Sequence, residues 1–346
     1  MAHYLNMILT VAIPTYNRPA QVKNTLVRLL PQLNESVKVL VLDNCSEVVI
    51  ADYLSAQLDP GQFEKITVVR NVVNIGGDAN FAKAFELCTT PYIWVLGDDD
   101  EIAPDAVQLI LSELSKYQAE DLIGINFLSN CCEVPRENPI EISSTSELAD
   151  KLDWFGNWFF ISTSVYKVSE YIKHLRFAYW GAYSMASQIM PAMMAISQHK
   201  KLILSEKYIV TNIKASEEDQ WSHMQVSLTL PTILELPMQY SEDDFLKIGQ
   251  KLSVQFVSFP HALSCLLRTL NLNALLIDKF HIYLFRELYA KTFVFRKHKL
   301  KQNIQYAAVM FLIQNPSLLQ LLLKNKTFRE RVDRGVYIKF SLFKRS

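Results

Sequence analysis

Four short apolar runs punctuate the first hundred residues, and each stops at a polar cluster. Leu9 to Ile13 runs into Pro14-Thr15-Tyr16-Asn17-Arg18-Pro19, and Val37 to Leu42 into Asp43-Asn44-Cys45-Ser46. Ile66 to Val69 leads through Arg70-Asn71 to Asn74-Ile75-Gly76-Gly77, and Tyr92 to Leu96 ends in Gly97-Asp98-Asp99-Asp100-Glu101. Between the runs, apolar residues recur every three or four positions: Val22, Leu26, Leu29, Leu33; then Phe81, Ala84, Phe85, Cys88; then Val107, Ile110, Leu111, Leu114. Short continuous runs predict buried strands, and the wider spacing predicts helices with one apolar face. Their alternation predicts right-handed βαβ crossovers and a mostly parallel α/β sheet. The strand ends then share one edge, so their polar groups converge where open α/β sheets bind ligands.

Further on, Leu122 to Leu128 predicts a fifth strand, followed by a polar surface excursion through Pro135 and Pro139 to Asp150. The aromatic stretch Trp154 to Ile161 leads into Val165 and Tyr166 and reads chiefly as core, although such rings also suit sugar faces. Met185, Met190, Met193 and Met194 read as gap-filling packing. Lys201 to Ile213 alternates as strands do, and a polar loop with Glu217, Glu218, Asp219, Trp221 and His223 follows. From Thr229 the spacing is almost wholly helical, through Phe245/Ile248/Leu252/Phe256 to Ile304/Ala307/Ala308/Phe311. The pattern therefore divides the chain into an α/β domain over 1–228 and a helical C-terminal region over 229–346.

Composition narrows the class. The chain has 346 residues, half apolar and a fifth charged, which is globular and too long for one typical domain. The five cysteines (Cys45, Cys88, Cys131, Cys132, Cys265) are odd in number and lack both metal-finger and CxxC spacing, so reduced thiols are expected. No secretory leader and no membrane span is visible, and a cytoplasmic location is expected. The absence of GxGxxG and of GxxxxGK[ST] excludes a dinucleotide fingerprint and a P-loop. Nothing points to nucleic acid. Formal charge is zero, yet from Lys279 onward 15 Lys and Arg face three acids. Interleaved with Phe328, Tyr337, Phe340 and Phe343, that excess predicts peripheral contact with an anionic membrane; a solvated basic helix or an oligomer contact fits the same residues.

The acidic triplet is the sharpest chemical signal. Adjacent carboxylates in a partly desolvated crevice repel by several kcal/mol at an effective dielectric of ~20. Protonation relieves this, and so does a hard divalent cation with oxygen ligands. A solvated acidic loop at a helix N-terminus fits the triplet taken alone.

As an ordered set, Pro14-Thr15-Tyr16-Asn17-Arg18, Asp43-Asn44-Cys45-Ser46, Asn74-Ile75-Gly76 with Asn80, and Asp98-Asp99-Asp100 before Pro104 resembles glycosyltransferase family 2. The resemblance is close over residues 8–115 and looser beyond. It implies the GT-A fold, an inverting transfer, and a nucleoside-diphosphate sugar donor of the UDP or dTDP type. It places Pro14, Tyr16, Arg18, Asp43 and Asn74 about the nucleotide, with Asp43 accepting a ring N–H of the base. Asp98 would lie towards ribose or phosphate. Counting back from Pro104 puts Asp99 on the metal-ligating position, with Asp98 and Asp100 in support, for Mg²⁺ or Mn²⁺. The implied acceptor is a saccharide or lipid-linked saccharide of a surface polysaccharide, and the C-terminal helices could join copies of the chain.

Two departures matter. The family's usual Asp is replaced by Gly97, and Tyr183 to Gln188, where an acid pair often supplies the general base, contains no acid. Candidate bases are then Glu217, Glu218 and Asp219, whose loop could close over a donor, and Asp153. A non-catalytic sugar-nucleotide-binding scaffold and a metal-dependent nucleotidyltransferase are the rivals. The latter would want a Gly-rich basic loop after the first strand, which Thr15-Tyr16-Asn17-Arg18 poorly supplies.

Overall fold

The structure is a computed structural model that describes residues 7–118, 120–132, 135–152, 155–184, 186–213, 229–253 and 299–327. The chain divides into two compact units, residues 1–215 with 236–240, and residues 216–235 with 241–346.

The first unit opens with β1 (Leu9–Thr15), α1 (Pro19–Leu29), β2 (Val37–Asp43), α2 (Ile50–Gln57), β3 (Ile66–Arg70), α3 (Gly77–Leu87) and β4 (Tyr92–Val95). These four strands are parallel, in the order β3-β2-β1-β4. The chain therefore steps one way from β1 through β3 and then returns to the other side of β1. That reversal opens a crevice at the carboxyl ends of β1 and β4.

Beyond β4 come β5 (Glu101–Ile102), α4 (Ala106–Lys116), β6 (Leu122–Ser129), β7 (Ile140–Ile142), α5 (Thr145–Lys151), β8 (Ser164–Lys167), α6 (Met190–Ile196) and β9 (Lys201–Thr211). Here the sheet is mixed, not mostly parallel. β8 lies antiparallel between β4 and β6, while β9 runs parallel to β6 and antiparallel to β5 and β7. The polar excursion after β6 also holds more order than expected, in β7 and α5. Ser144 opens α5 as its N-cap, accepting from the Glu147 N–H, while Glu147 accepts from the Ser143 N–H. The run Ser144-Thr145-Ser146-Glu147 carried that capping signal.

One core layer joins Leu9, Val11 and Ile13 of β1 to Val22, Leu26 and Leu29 of α1 and to Val107 and Ile110 of α4. Alternate strand positions face the other way. On that side α3 supplies Phe85, which stacks on Tyr171 at 3.8 Å, and α6 is buried throughout. Trp158 and Phe155 are core, 1% and 0% exposed, so these two rings of the aromatic stretch are packing. Met190, Met193 and Met194 of α6 are buried packing too.

The second unit contains the helices α7 (Glu242–Ser253), α8 (Lys299–Gln314) and α9 (Pro316–Lys324) among its described residues. α7 carries Glu242, Asp243 and Asp244 in its first turn and Lys251 in its last, each where the helix dipole favours it. Among the described residues no helix is long and apolar enough to cross a membrane. The basic tail beyond Thr327, and residues 254–298 of the helical region expected to join copies of the chain, lie outside the described residues.

Candidate active site

Where the chain reverses, β1 and β4 meet through their polar ends. Thr15, the last residue of β1, donates its hydroxyl to Asp98 Oδ2 at 2.6 Å. Thr25 of α1 donates to the Asp98 main-chain carbonyl at 2.8 Å. Arg18 reaches both acids with one nitrogen, Nη1 standing 3.2 Å from Asp98 Oδ1 and 2.7 Å from Asp99 Oδ2. Asp98 is buried, whereas the Asp99 side chain is 37% exposed and is the most open of the triplet. Burial of Arg18 disfavours its charge, but Asp98 and Asp99 outweigh that and raise its pKa.

Asp100 turns back into the protein. Its Oδ2 accepts from the Ser162 hydroxyl at 2.5 Å, and the same hydroxyl accepts from the Gly97 N–H at 2.8 Å. The Ser162 carbonyl in turn accepts from the Trp94 indole N–H at 2.7 Å. A Cβ on residue 97 would stand only 2.3 Å from Asp100 Oδ2. Glycine at 97 is therefore a steric condition for this seat, and Asp100's carboxylate fills the room of the absent side chain. Burial pushes Asp98 up to about 6 against the hydrogen bond from Thr15, and pushes Asp100 up to about 7 against the one from Ser162.

The ends of β2 and β3 form the other half. Asp43 is fully buried; its Oδ1 accepts from the Ser46 N–H at 2.8 Å and its Oδ2 from Arg70 Nη1 at 2.5 Å. Arg70 Nη2 also donates to the Ser46 carbonyl at 2.7 Å. Burial would raise the Asp43 pKa, but the bonds from Ser46 and Arg70 prevail and lower it. Asn17, at φ 56°, holds the β1 loop against this turn by accepting from the Glu47 N–H and donating its own N–H to Ser46 Oγ.

A run of amides then fixes the loop after β3. Asn44 donates to Asn74 Oδ1 at 2.8 Å and accepts from Asn71 and from the Ile75 N–H. Asn74 Oδ1 accepts as well from the Gly76 N–H at 2.9 Å, so this side chain shapes the loop. Asn80 donates to the Leu42 carbonyl and accepts from Asn71. Tyr16, 43% exposed, flanks the same edge just beyond Pro14 and Thr15.

The structure thus gathers Thr15, Arg18, Asp98 and Asp99 at one point, and Asp43 with Asn74's loop beside them. Two contributors carried little sequence signal. Arg70 is in register with Asp43 across β2 and β3, a pairing that needs the alignment of two strands. Ser162 lies 62 residues beyond Asp100 in a stretch marked only by its aromatics. Glu217, Glu218, Asp219 and Asp153 lie outside the described residues. In the stretch 183–188, Ser184, Ser187 and Gln188 are buried.

Among the described residues no group of three His, Cys, Asp or Glu side chains is arranged to hold a metal ion. The donor chemistry still suits Mg²⁺ or Mn²⁺. Such ions are commonly held by one or two carboxylates together with substrate phosphates and water, and Asp99 with Asp98 offers that.

Residues 10–173 match the family model of glycosyl transferase family 2. An abequosyltransferase, RfbV, of Salmonella typhimurium is 28% identical over 135 residues, covering 38% of this chain and 40% of the relative. The putative colanic acid biosynthesis glycosyl transferase WcaA of Escherichia coli K12 is 28% identical over 109 residues, 31% of this chain and 38% of its own. The chain thus spans about two-fifths of the length of the curated relatives it matches. Among solved structures, residues 1–349 of S. aureus TarS in complex with UDP-GlcNAc align with a TM-score of 0.56 at 15% identity, over 90% of this chain and 92% of that one. A mannosyltransferase of Pyrobaculum calidifontis in complex with GDP-Man and Mn²⁺ aligns at 0.52 and 12% identity, over 89% and 86%. At these identities the likeness is one of fold, the GT-A arrangement.

Proposed function

From the match of residues 10–173 to the glycosyl transferase family 2 model, we propose that the chain transfers a sugar from a nucleoside-diphosphate donor, with inversion, to a saccharide or lipid-linked saccharide in surface polysaccharide synthesis. The observation that carries this is the cluster of Thr15, Arg18, Asp98 and Asp99 at the β1/β4 crevice. It combines hard acceptors with a cation at the place where a sheet of this order takes a phosphorylated ligand. RfbV is named an abequosyltransferase and WcaA a putative glycosyl transferase of colanic acid biosynthesis, which supports sugar transfer in polysaccharide synthesis.

In this reading Tyr16 and the Asp43–Arg70 pair receive the nucleoside. Arg70 beside Asp43 offers a donor next to an acceptor, the complement of a uracil or thymine edge with its carbonyl next to a ring N–H. Guanine presents a similar pair, and the base screen below separates them. Arg18 and Asp98 orient the diphosphate and ribose. Asp99, with Asp98, would hold Mg²⁺ or Mn²⁺, which when bound balances the charge gathering on the departing diphosphate. A second reading has Arg18 supply that charge unaided, since its guanidinium already stands between Asp98 and Asp99. The protein would work at the cytoplasmic face of a membrane, the basic tail resting on anionic lipid.

Thermal unfolding with UDP-, dTDP-, GDP- and CDP-sugars, in Mn²⁺, Mg²⁺ or chelator, tests this. A rise with UDP- or dTDP-sugars that needs the metal and vanishes in Asp99→Ala is expected. A rise that survives chelation favours Arg18 as the working cation. No rise with any sugar nucleotide refutes the transferase reading. Loss of binding to phosphatidylglycerol vesicles on deleting residues 328–346 is expected for the tail, and unchanged binding excludes it.

A further inference from the structure

Helices of the second unit present opposite kinds of face to water. α7 exposes Glu242, Asp243 and Gln250 and buries Ile248 and Leu252, the ordinary sense of an amphipathic helix. α8 and α9 reverse it. Leu300 of α8 and Leu321 of α9 are 76% and 64% exposed, and Ile304, Phe311 and Leu318 are exposed with them. Along α8 the exposed positions Leu300, Ile304, Ala307 and Phe311 follow a spacing of four, three and four, so they form one stripe. The joint to α9 is the single residue Asn315. Its side chain donates to the Phe311 carbonyl at 2.7 Å, and its own carbonyl accepts from the Leu318 N–H at 3.1 Å.

Single apolar residues on a surface are ordinary, but exposed apolar faces on two successive helices mark an interaction site. We propose that the partner is an anionic lipid surface: α8 and α9 lie in its plane and insert Leu300, Ile304, Phe311, Leu318 and Leu321 below the headgroups. This rests on the membrane location proposed above, where lipid contact came from the basic tail alone, and adds a second, apolar contact from folded helices.

Charge selects the partner. Residues 299–327 contain four lysines (Lys299, Lys301, Lys324, Lys326) and no acid, and the lysines stand at the two ends of the stretch. An apolar helix face with basic flanks is drawn to anionic headgroups. A second copy of the chain would fit the near-heptad spacing, but paired helices match charges of both signs beside their seam, and two copies of this acid-free stretch bring lysine to lysine. Length sets the mode of contact. The 16 residues of α8 span about 24 Å, short of the ~30 Å hydrocarbon core, and Pro316 starts a separate helix. The helices therefore lie on the membrane and do not cross it. One modest apolar contact and one basic segment each bind marginally and together bind stably, so the stripe and the tail depend on each other.

Sedimentation of the full-length protein with vesicles of phosphatidylglycerol and phosphatidylcholine, and of phosphatidylcholine alone, tests this. The triple variant Ile304→Gln, Phe311→Gln, Leu321→Gln is expected to unfold at the wild-type temperature and to bind the mixed vesicles about tenfold more weakly or worse. Phe311→Trp keeps the face apolar and is expected to bind a few-fold more tightly, because indole favours the interface. Lys324→Gln is expected to lose about fivefold at low salt and little in ~0.5 M salt, whereas the triple variant is weaker in both. Binding of the triple variant within twofold of wild type overturns the proposal; where that variant unfolds early, unchanged or weaker binding by Phe311→Trp does so. An oligomer in analytical ultracentrifugation that the triple variant dissociates, with vesicle binding unchanged, overturns it in favour of a second copy. Loss of binding on deleting residues 328–346 with the triple variant unaffected keeps the tail and rejects the stripe, and the converse keeps the stripe and rejects the tail. Wild-type protein that binds neither vesicle overturns both.

Discussion

Two strand-end turns in this crevice hold carboxylates in opposite ways. At the ends of β2 and β3, one buried acid meets one cation, and each oxygen of Asp43 accepts a hydrogen bond, from Ser46 and from Arg70. At the end of β4, Asp98 and Asp99 share the guanidinium of Arg18 while Asp100 turns to Ser162, and burial pushes Asp98 up to about 6 and Asp100 up to about 7. The first turn is complete without a ligand. The second, among the described residues, has more acids than cations in contact with it. In one crevice, then, the Asp43 turn, proposed to receive the nucleoside, is held by its own ion pair, and the β4 turn, proposed to receive the diphosphate, would gain from a cation.

Removing an acid from each half is the strongest way to break this contrast. Asp43→Ala strands Arg70 and the Ser46 N–H, and is expected to cost ~3 kcal/mol in urea unfolding at neutral pH. Because the folded pKa of Asp43 is lowered, its contribution is present above the ordinary carboxylate value of ~4 and is lost as pH falls through the folded one. The gap between wild type and variant should therefore narrow in strong acid. Asp99→Ala relieves like-charge repulsion and is expected to change stability by no more than ~0.5 kcal/mol, while removing the metal-dependent response to nucleotide. Equal costs at the two sites would erase the distinction.

A smaller effect tests how the β4 turn is seated. Gly97→Ala forces a Cβ into the space of Asp100 Oδ2, whose neighbours Ser162 and Trp94 are tied to each other. Overpacking of this kind is expected to cost ~2 kcal/mol. Asp100→Ala in the same chain vacates the space, so the double variant should recover most of that loss. Additive losses would mean that the glycine is needed for some other reason.

How much of this was legible beforehand follows from where each signal lives. β1 to β4 and the helices α1 and α3 could be read because each strand is a continuous apolar run and each of these helices an amphipathic one, both local properties of sequence, whereas α2 was not read. The acidic triplet stood out for the same reason. The antiparallel insertion of β8 could not be read, since an isolated Ser164–Lys167 says nothing about which neighbours it pairs with. Arg70, Ser162 and the Asp78–Ser187 contact were illegible on equal grounds: each joins residues 27, 62 and 109 apart, and only register and helix packing bring them together. Gly97 was visible as a departure from the family pattern. Its reason was not, because that reason is the carboxylate of a residue three positions on.

The subtlest expected effect concerns protons at the β4 turn. Asp98 and Asp100 have folded pKa values of about 6 and about 7, above the ~4 of an unfolded carboxylate. Between those limits the folded chain binds more protons than the unfolded one, so this contribution to stability is full below ~4 and is lost as pH rises through 6 and 7. Asp100→Asn keeps an oxygen for the Ser162 hydroxyl and removes the charge. In chelator it is expected to be ~1 kcal/mol more stable than wild type at pH 8 and no more stable at pH 4.5, where both are neutral at that position. Asp43→Asn should behave in the reverse sense, losing stability at pH 8, because there the charge has a partner. If Asp100→Asn is instead destabilised at pH 8, the buried carboxylate already has the positive charge it needs, and the β4 turn is as complete as the one it is contrasted with.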